Sequence, residues 1–331
     1  MASASDTNIN KNTRRLVFYL VVGLLIATLP FWISRFGLAL STQIMYLSIL
    51  VMSFTFMASH GGLLSLAQVS FFGIAGYTLG ILSVKAEVPF PYPYILGILM
   101  AAAGAAILGL IAIRVKAIPF LMMTLAFGEI TYGTARHWSS LTNGDNGIND
   151  IPDLVLLGAS FSAAKEPIRF YYLVLVIFIF CFWLLNRVSR SPFGLAHQAT
   201  KQSASRLEAL GYPVFAIKYF AFIISAAYAG VAGLLGSTFE GTINPDSIWF
   251  GTIMFMMIAA ILGGVNSSIG PIVGVTVAIC LERFIEPMTE HYRIVVGTVF
   301  LFSILLARQG IMGFVERTEV YRRALRGCGF D

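Results

Sequence analysis

A carboxylate inside an apolar run is the first residue of this chain that could do chemistry. Glu129 falls near the middle of the run 118–137, where an ionised group is expensive and marks function by default. At helical spacing it shares a face with Leu125, Ala126, Tyr132 and Gly133, whereas Thr124 and Thr131 point elsewhere. That face suits a translocation path, and equally a hydrogen bond between packed helices. Catalytic signatures are missing where they would show. None of the six lysines is followed by Ser or Thr, so no GxxxxGK(S/T) loop is present to cradle a nucleotide phosphate. His60, His137, His197 and His291 occur singly, without HExxH or a His/Cys ligand cluster, and GxSxG and Asp-rich magnesium pairs are absent. Cys181, Cys280 and Cys328 lack the paired spacing of a disulfide framework or a zinc site. No metal or cofactor is expected on this chain, and a membrane-embedded enzyme or an ion-coupled carrier is only a weaker alternative.

The elements that must position Glu129 are membrane spans. Of 331 residues, 57% are hydrophobic and 11% charged, with a mean hydropathy of +0.81, against roughly a quarter charged in soluble domains. Apolar runs at 16–33, 38–57, 63–84, 94–113, 118–137, 170–185, 215–236, 248–263, 269–285 and 294–307 predict an all-α polytopic membrane protein of about ten transmembrane helices, some short or broken. With both termini cytoplasmic, fifteen Lys and Arg fall on inner segments against seven on outer ones, as the positive-inside rule requires. The net charge of +6 therefore reads as topology, and no nucleic-acid partner is implied. The division is a cytoplasmic tail at 1–15, a permease domain at 16–311 and a cytoplasmic tail at 312–331. A periplasmic loop at 139–168 and a cytoplasmic region at 188–213 interrupt the spans. Glu282 and Arg283, adjacent near an outer end, are expected to snorkel, and the sequon at Asn266 is discounted because it lies on the inner side.

Between Gly194 and Gly211, residues 195–210 make about four and a half helical turns. Either a short helix along the inner face, bounded by glycines, or a solvated loop fits the loose spacing of Leu195, Ala199, Leu207 and Leu210. The segments 61–80 (GGLLSLAQVSFFGIAGYTLG) and 263–274 (GGVNSSIGPIVG) are rich in small residues. Close helix packing explains such composition, and so do broken helices lining a cavity.

The motif order from 61 to 274 resembles the LivM-type permease subunits of bacterial branched-chain amino-acid ABC importers. Gly62-Leu63-Leu64-Ser65-Leu66-Ala67-Gln68, running on to Phe72-Gly73-Ile74-Ala75-Gly76-Tyr77, is similar to the family's GxxSLGQxxFxGIGAY segment, and Thr124 to Glu129 (TLAFGE) to its TLAF element. The loop 142–148 is similar to TGGxxGI, with Asn143 where a glycine is usual. Arg190-Ser191-Pro192-Phe193-Gly194 with Gly211, the span from Lys218 to Gly233, and Leu262-Gly263-Gly264 with Gly270-Pro271 complete a set covering about two-thirds of the chain.

The resemblance implies a subunit of the bacterial inner membrane that pairs with a second permease chain, two ATP-binding subunits and a periplasmic substrate-binding protein. ATP and Mg would sit on the partners. It further implies that 195–210 is the helix docking on an ATP-binding subunit, with Gly194, Leu195, Ala199, Lys201, Arg206, Glu208, Leu210 and Gly211 in that contact. Ser65, Gln68, Thr124 and Glu129 would border the translocation path. The chain departs from the family where a charged AIRE-N-E run is usual: it carries Ala199-Thr200-Lys201-Gln202-Ser203-Ala204, leaving Glu208 as the sole acid of that helix, which points to altered complementary charge. Tyr212-Pro213 and Gly241 to Pro245 are similar to the branch that carries urea; short amides and aromatic acids are cargoes of related complexes. The span after Ile248, with Leu262-Gly263-Gly264, leans toward branched-chain amino acids.

Overall fold

The computed structural model describes residues 30, 32–115, 117–156, 159–286, 297–298 and 310–317. The expected first span 16–33 lies almost wholly outside the described residues, as do the expected span 294–307 and most of both tails. The described chain is helical, with one two-stranded antiparallel hairpin of β1 (Leu154–Leu156) and β2 (Ala159–Phe161). The helices are α1 (Arg35–Thr55), α2 (Gln68–Gly80), α3 (Tyr92–Ala112), α4 (Ala117–His137), α5 (Pro167–Ser189), α6 (Pro192–Ala209), α7 (Val214–Glu240), α8 (Phe250–Gly263), α9 (Gly270–Ile285) and α10 (Gly310–Arg317). Among the described residues four helical segments are long and apolar enough to cross a membrane: Arg35–His60, α3, α5 and α7.

At the centre of the bundle lies α7, against which α1, α2, α3 and α6 all pack. Its small residues Ala221, Ser225, Ala229, Gly230 and Gly233 are buried, and they let neighbouring backbones close in where lipid supplies no hydrophobic drive between helices. A Cβ on Gly233 would run into the carbonyl of Phe72 on α2. On α3 the buried residues Gly97, Ala101, Ala105 and Gly109 recur every fourth position, one stripe of small side chains turned to α2 and α7. Ile95, Leu99, Ile107 and Ile111, off that stripe, stay exposed.

Both glycine-rich segments are breaks. The first membrane helix passes through a π-turn at Phe56–His60 and stops; Gly62 to Ser65 is non-helical, and α2 starts at Gln68. The expected continuous span 63–84 is thereby corrected. Gly62 takes a left-handed φ of +66°, which a side chain would resist, and the helical ladder cannot run through it. A second π-turn, Ile81–Lys85, follows α2. Between α8 and α9 the helix is broken again at 264–269, because Gly264 has φ +101°, and Gly263 lies too close to Gly270 for a Cβ.

Candidate functional site

The 195–210 stretch is helical, with corrected ends. Ser191 caps α6, its Oγ accepting the Gly194 amide at 3.2 Å, and Pro192 occupies the first turn, where a missing N–H costs nothing. Gly194 is therefore not the boundary. It lies buried inside the helix, where a Cβ would collide with the carbonyls of Val188 and Ser189. Gly211, at φ +85°, does follow the C-terminal end. The helix is kinked at Ser203 (φ −165°, ψ 101°). Leu195, Lys201, Arg206, Glu208, Leu210 and Gly211 are exposed and Ala199 is half-buried.

The opposite face of α6 sits on the first break. His197 is fully buried between Phe56, with ring centroids 5.4 Å apart, and Phe193, stacked at 6.5 Å. Its ring fills the space above Gly61, where any Cβ would overlap it. Lys201 lays its stem along Gly62 and donates from Nζ to the carbonyl of Ser59 at 3.0 Å. Leu207 packs with Val214 and Ile217 of α7. A polar cavity of about 230 Å³ lies beside this seat, with His60, Arg190, Gln198 and Asn266 in its wall; the sequon thus stands at the α6 end.

Neither imidazole nitrogen of His197 has a hydrogen-bond partner. Burial, then the nearby His60 and Lys218, push its pKa down to about 4, below the ordinary value of about 6.5. Between those values the unfolded chain binds a proton that the folded chain refuses, so stability is complete above about pH 6.5 and falls as pH drops toward 4. The expected loss is on the order of 3 kcal/mol. Thermal melts from neutral to acidic pH check this. The profile should flatten in His197→Leu, and a wild-type profile identical to the variant's would refute it.

The four residues expected along a path divide. Ser65, Gln68 and Thr124 are fully buried and gather at the break. The Leu66 amide donates to Thr124 Oγ1 at 3.2 Å, and Gln68 Nε2 donates to Ser225 Oγ at 3.2 Å. Ser225 lies in the motif span from Lys218 to Gly233 read in the sequence, but was not among the residues expected along the path. Ser65 Oγ and Gln68 Oε1 have no partner. Glu129 does not join them: it is exposed on the outer side of α4, because five residues from Thr124 is a rotation of about 140°.

A cavity of about 820 Å³ lies at the other end of the bundle, near 139–151. That is within the roughly 300–1,000 Å³ range of small-molecule sites. Phe72, Phe255, Ile279 and Leu47 make its apolar wall, and Trp249 also lines it. Three carboxylates, Glu240, Asp246 and Glu282, face it together with one guanidinium, Arg136. Arg136 is engaged already, by Asp145 at 2.7 Å and by Tyr132 Oη, to which it donates at 3.3 Å. Tyr46 donates to Glu240 Oε1 at 3.1 Å. Glu282 thus faces a cavity, which corrects the expectation of snorkelling, while Arg283 pairs with Glu286 at 3.0 Å. The cavity edge is tied to the loop after α4 by the bridge between Ile148 and Ile243, where Gly147 (φ +65°) lies against the Ile243 carbonyl. Sequence reasoning missed Glu240, Asp246, Ser237 and Tyr46. An acid closing the long apolar run of α7, six residues before another acid, was the available signal.

Among known proteins, residues 37–304 match the model of the family described as branched-chain amino acid transport system / permease component. The high-affinity branched-chain amino acid transport system permease protein LivM of Salmonella typhimurium (strain LT2) is 27% identical over 92% of this chain and 76% of its own length. Its Escherichia coli (strain K12) counterpart is 28% identical over the same shares. The permease protein LivH of Salmonella typhimurium is 30% identical over 56% of this chain and 62% of its own length. No solved structure matches. The four spanning segments, the paired breaks and a family match over most of the chain agree: this is a multi-pass membrane protein and a member of the branched-chain amino acid transport permease family.

Proposed function

We propose that the chain is the membrane-spanning subunit of an ATP-binding-cassette importer that moves branched-chain or other hydrophobic amino acids across a bacterial inner membrane by alternating access. The substrate class follows the names of its relatives. Two ATP-binding subunits hold ATP and Mg, a second permease completes the membrane unit, and a periplasmic binding protein delivers cargo. Both termini are cytoplasmic, and the loop within 139–168 is periplasmic.

The observation that carries this reading is the seat of α6 on the first break. A helix with one exposed face and the other locked onto Gly61 and Ser59 passes a push at its exposed face to the π-turn that ends the first membrane helix, since packed helices move as units. Leu195, Lys201, Arg206, Glu208 and Leu210 offer that exposed face to the groove of an ATP-binding subunit. The second permease covers α4, where Met122, Ala126, Glu129 and Ile130 are exposed together, because a carboxylate left to lipid is costly.

Purifying the tagged chain from native membranes in mild detergent should recover a second hydrophobic permease and P-loop ATPases by mass spectrometry. Scrambling 195–210 should release the ATPases and abolish ATP-driven uptake while the chain stays in the membrane. Recovery of the chain alone, or normal uptake by the scrambled variant, would refute the assignment.

A further inference from the structure

One carboxylate of the bundle stands where nothing in this chain answers it. With 21 residues, α4 is about 30 Å long, the thickness of a bilayer's hydrocarbon core. Glu129 lies about 12 Å from the nearer end of that helix, whereas the charged residues of α1, α5, α7 and α9 lie within about a turn of a helix end. Its side chain is exposed, and among the described residues it makes no hydrogen bond or ion pair. A charge at that depth is costly unless another side chain meets it.

A second observation, independent of the charge, lies one turn further along the same face. Nothing in this chain comes within 4 Å of a Cβ built on Gly133. A glycine inside a helix lowers its stability, and Gly97, Gly109 and Gly233 each have a close neighbour in the bundle that requires them. At Gly133 that neighbour has to come from outside the chain, where a small residue lets a second helix approach closely in lipid. Toward the start of α4 the same face continues through Ile130, Ala126, Met122 and Ile118, all exposed. The buried residues Phe120, Thr124, Gly128 and Ala135 occupy the opposite side of the helix.

Symmetry decides between a second copy and a different chain. Copies of one chain share an orientation in the membrane, so a two-fold pair about α4 brings residues of equal depth together. Glu129 would then face Glu129, two like charges in a medium where repulsion is stronger than in water. A different chain with a Lys or Arg at that depth instead turns the carboxylate into a charge-assisted pair. We propose that the exposed face of α4 is a seam for a second, non-identical permease, with Glu129 paired to a basic side chain of that partner and Gly133 admitting its helix. The proposal rests on the importer reading for the existence of a second permease. It goes further by naming the contact residue and the chemistry opposite it, and by excluding a pair of identical chains at this face.

Ile130, 65% exposed beside Glu129, is the position for a photo-crosslinking side chain, benzoylphenylalanine, in the full chain in native membranes. Mass spectrometry of the cross-linked peptide should place it in an apolar run of a different multi-pass chain, at or beside a Lys or Arg. A cross-link to a second copy, or to no protein at all as lipid cover requires, would overturn the proposal. Recovery of the partner with the tagged chain in mild detergent is then compared across variants. Glu129→Gln should weaken it about tenfold, the loss of one charge-assisted contact, and Glu129→Lys should weaken it further. Gly133→Leu should lose the partner while the single chain stays folded. Partner recovery at the wild-type level in Glu129→Lys, or two differently tagged wild-type copies recovering each other as well as the partner, would also overturn it. The cross-link leaves Glu129 and Gly133 in place, so it decides even if a variant misfolds. P-loop ATPases and ATP-driven leucine uptake are scored in the same membranes. A basic partner helix at Ile130 without ATPases or uptake would defeat the importer reading alone, whereas normal uptake with no second permease cross-linked at Ile130 would defeat the seam alone.

Discussion

Gly61→Val is expected to abolish ATP-driven uptake while the chain remains folded in the membrane. The position above Gly61 is filled by the His197 ring, so a branched side chain there must lift α6 off the break. Lifting it also separates Lys201 from the Ser59 carbonyl. Most of the bundle is untouched, because α7 meets α1, α2 and α3 elsewhere along its length. Misplacing a positioning element by about 1 Å can cost about 10²-fold in rate, and a loss of that order is expected in reconstituted vesicles. The remedy identifies the cause: His197→Ala in the Gly61→Val background removes the obstructing ring and should recover most of the uptake. The two substitutions would then be strongly non-additive, as residues in contact are. Uptake by Gly61→Val at the wild-type rate would show that the seat of α6 is not needed for coupling.

Gly233→Leu should do greater damage, and to the fold itself. The obstacle to a side chain at this position is the backbone of Phe72, with its Cα only 2.9 Å from the place a Cβ would take. A flexible side chain could turn away, but a helix backbone moves only if α2 and α7 part. Overpacking of this kind costs about 1–3 kcal/mol and sometimes more; the upper end is expected here, since α2 and α7 share one of the most extensive contacts in the bundle. The variant should be degraded or aggregate on extraction. Gly133→Leu is the matched control, because nothing lies within 4 Å of a Cβ there, and its melting temperature as a single chain should stay near wild type. Equal melting temperatures for the two variants would contradict the packing described.

What could be read from the sequence was what repeats or interrupts. The apolar runs behind α1, α3, α5 and α7, the glycine-rich segments and the stretch behind α6 are local patterns with a period or a punctuation mark. Even there the choice between close packing and a break needed the structure. Composition alone does not reveal that Gly62 and Gly264 have positive φ, and it gave no sign of the kink at Ser203. Glu129 was conspicuous because it is alone in an apolar run, yet a lone charge carries no information about which way its helix faces. The cavity at the end of α7 was illegible for a different reason. Tyr46, the pair Glu240 and Asp246, and Glu282 come from three separate stretches, each acid near the end of a helix or in a loop, where acids are ordinary. Their convergence is a product of packing around α7, and beyond the closeness of Glu240 to Asp246 no spacing in the chain encodes it.

With 27 residues, α7 is a rod of about 40 Å, and no glycine kink or proline interrupts it. Its first turn is clasped by Leu207 of α6. Just beyond its last turn, Ile243 is stitched to Ile148 of the loop after α4 by hydrogen bonds of 2.8 and 2.9 Å. Such a member works like the pushrod of an engine. It joins the loop after α4 to the α6 end by unbroken backbone, without a relay from side chain to side chain. The two ends of the bundle are therefore held at a fixed separation by a single continuous piece of backbone.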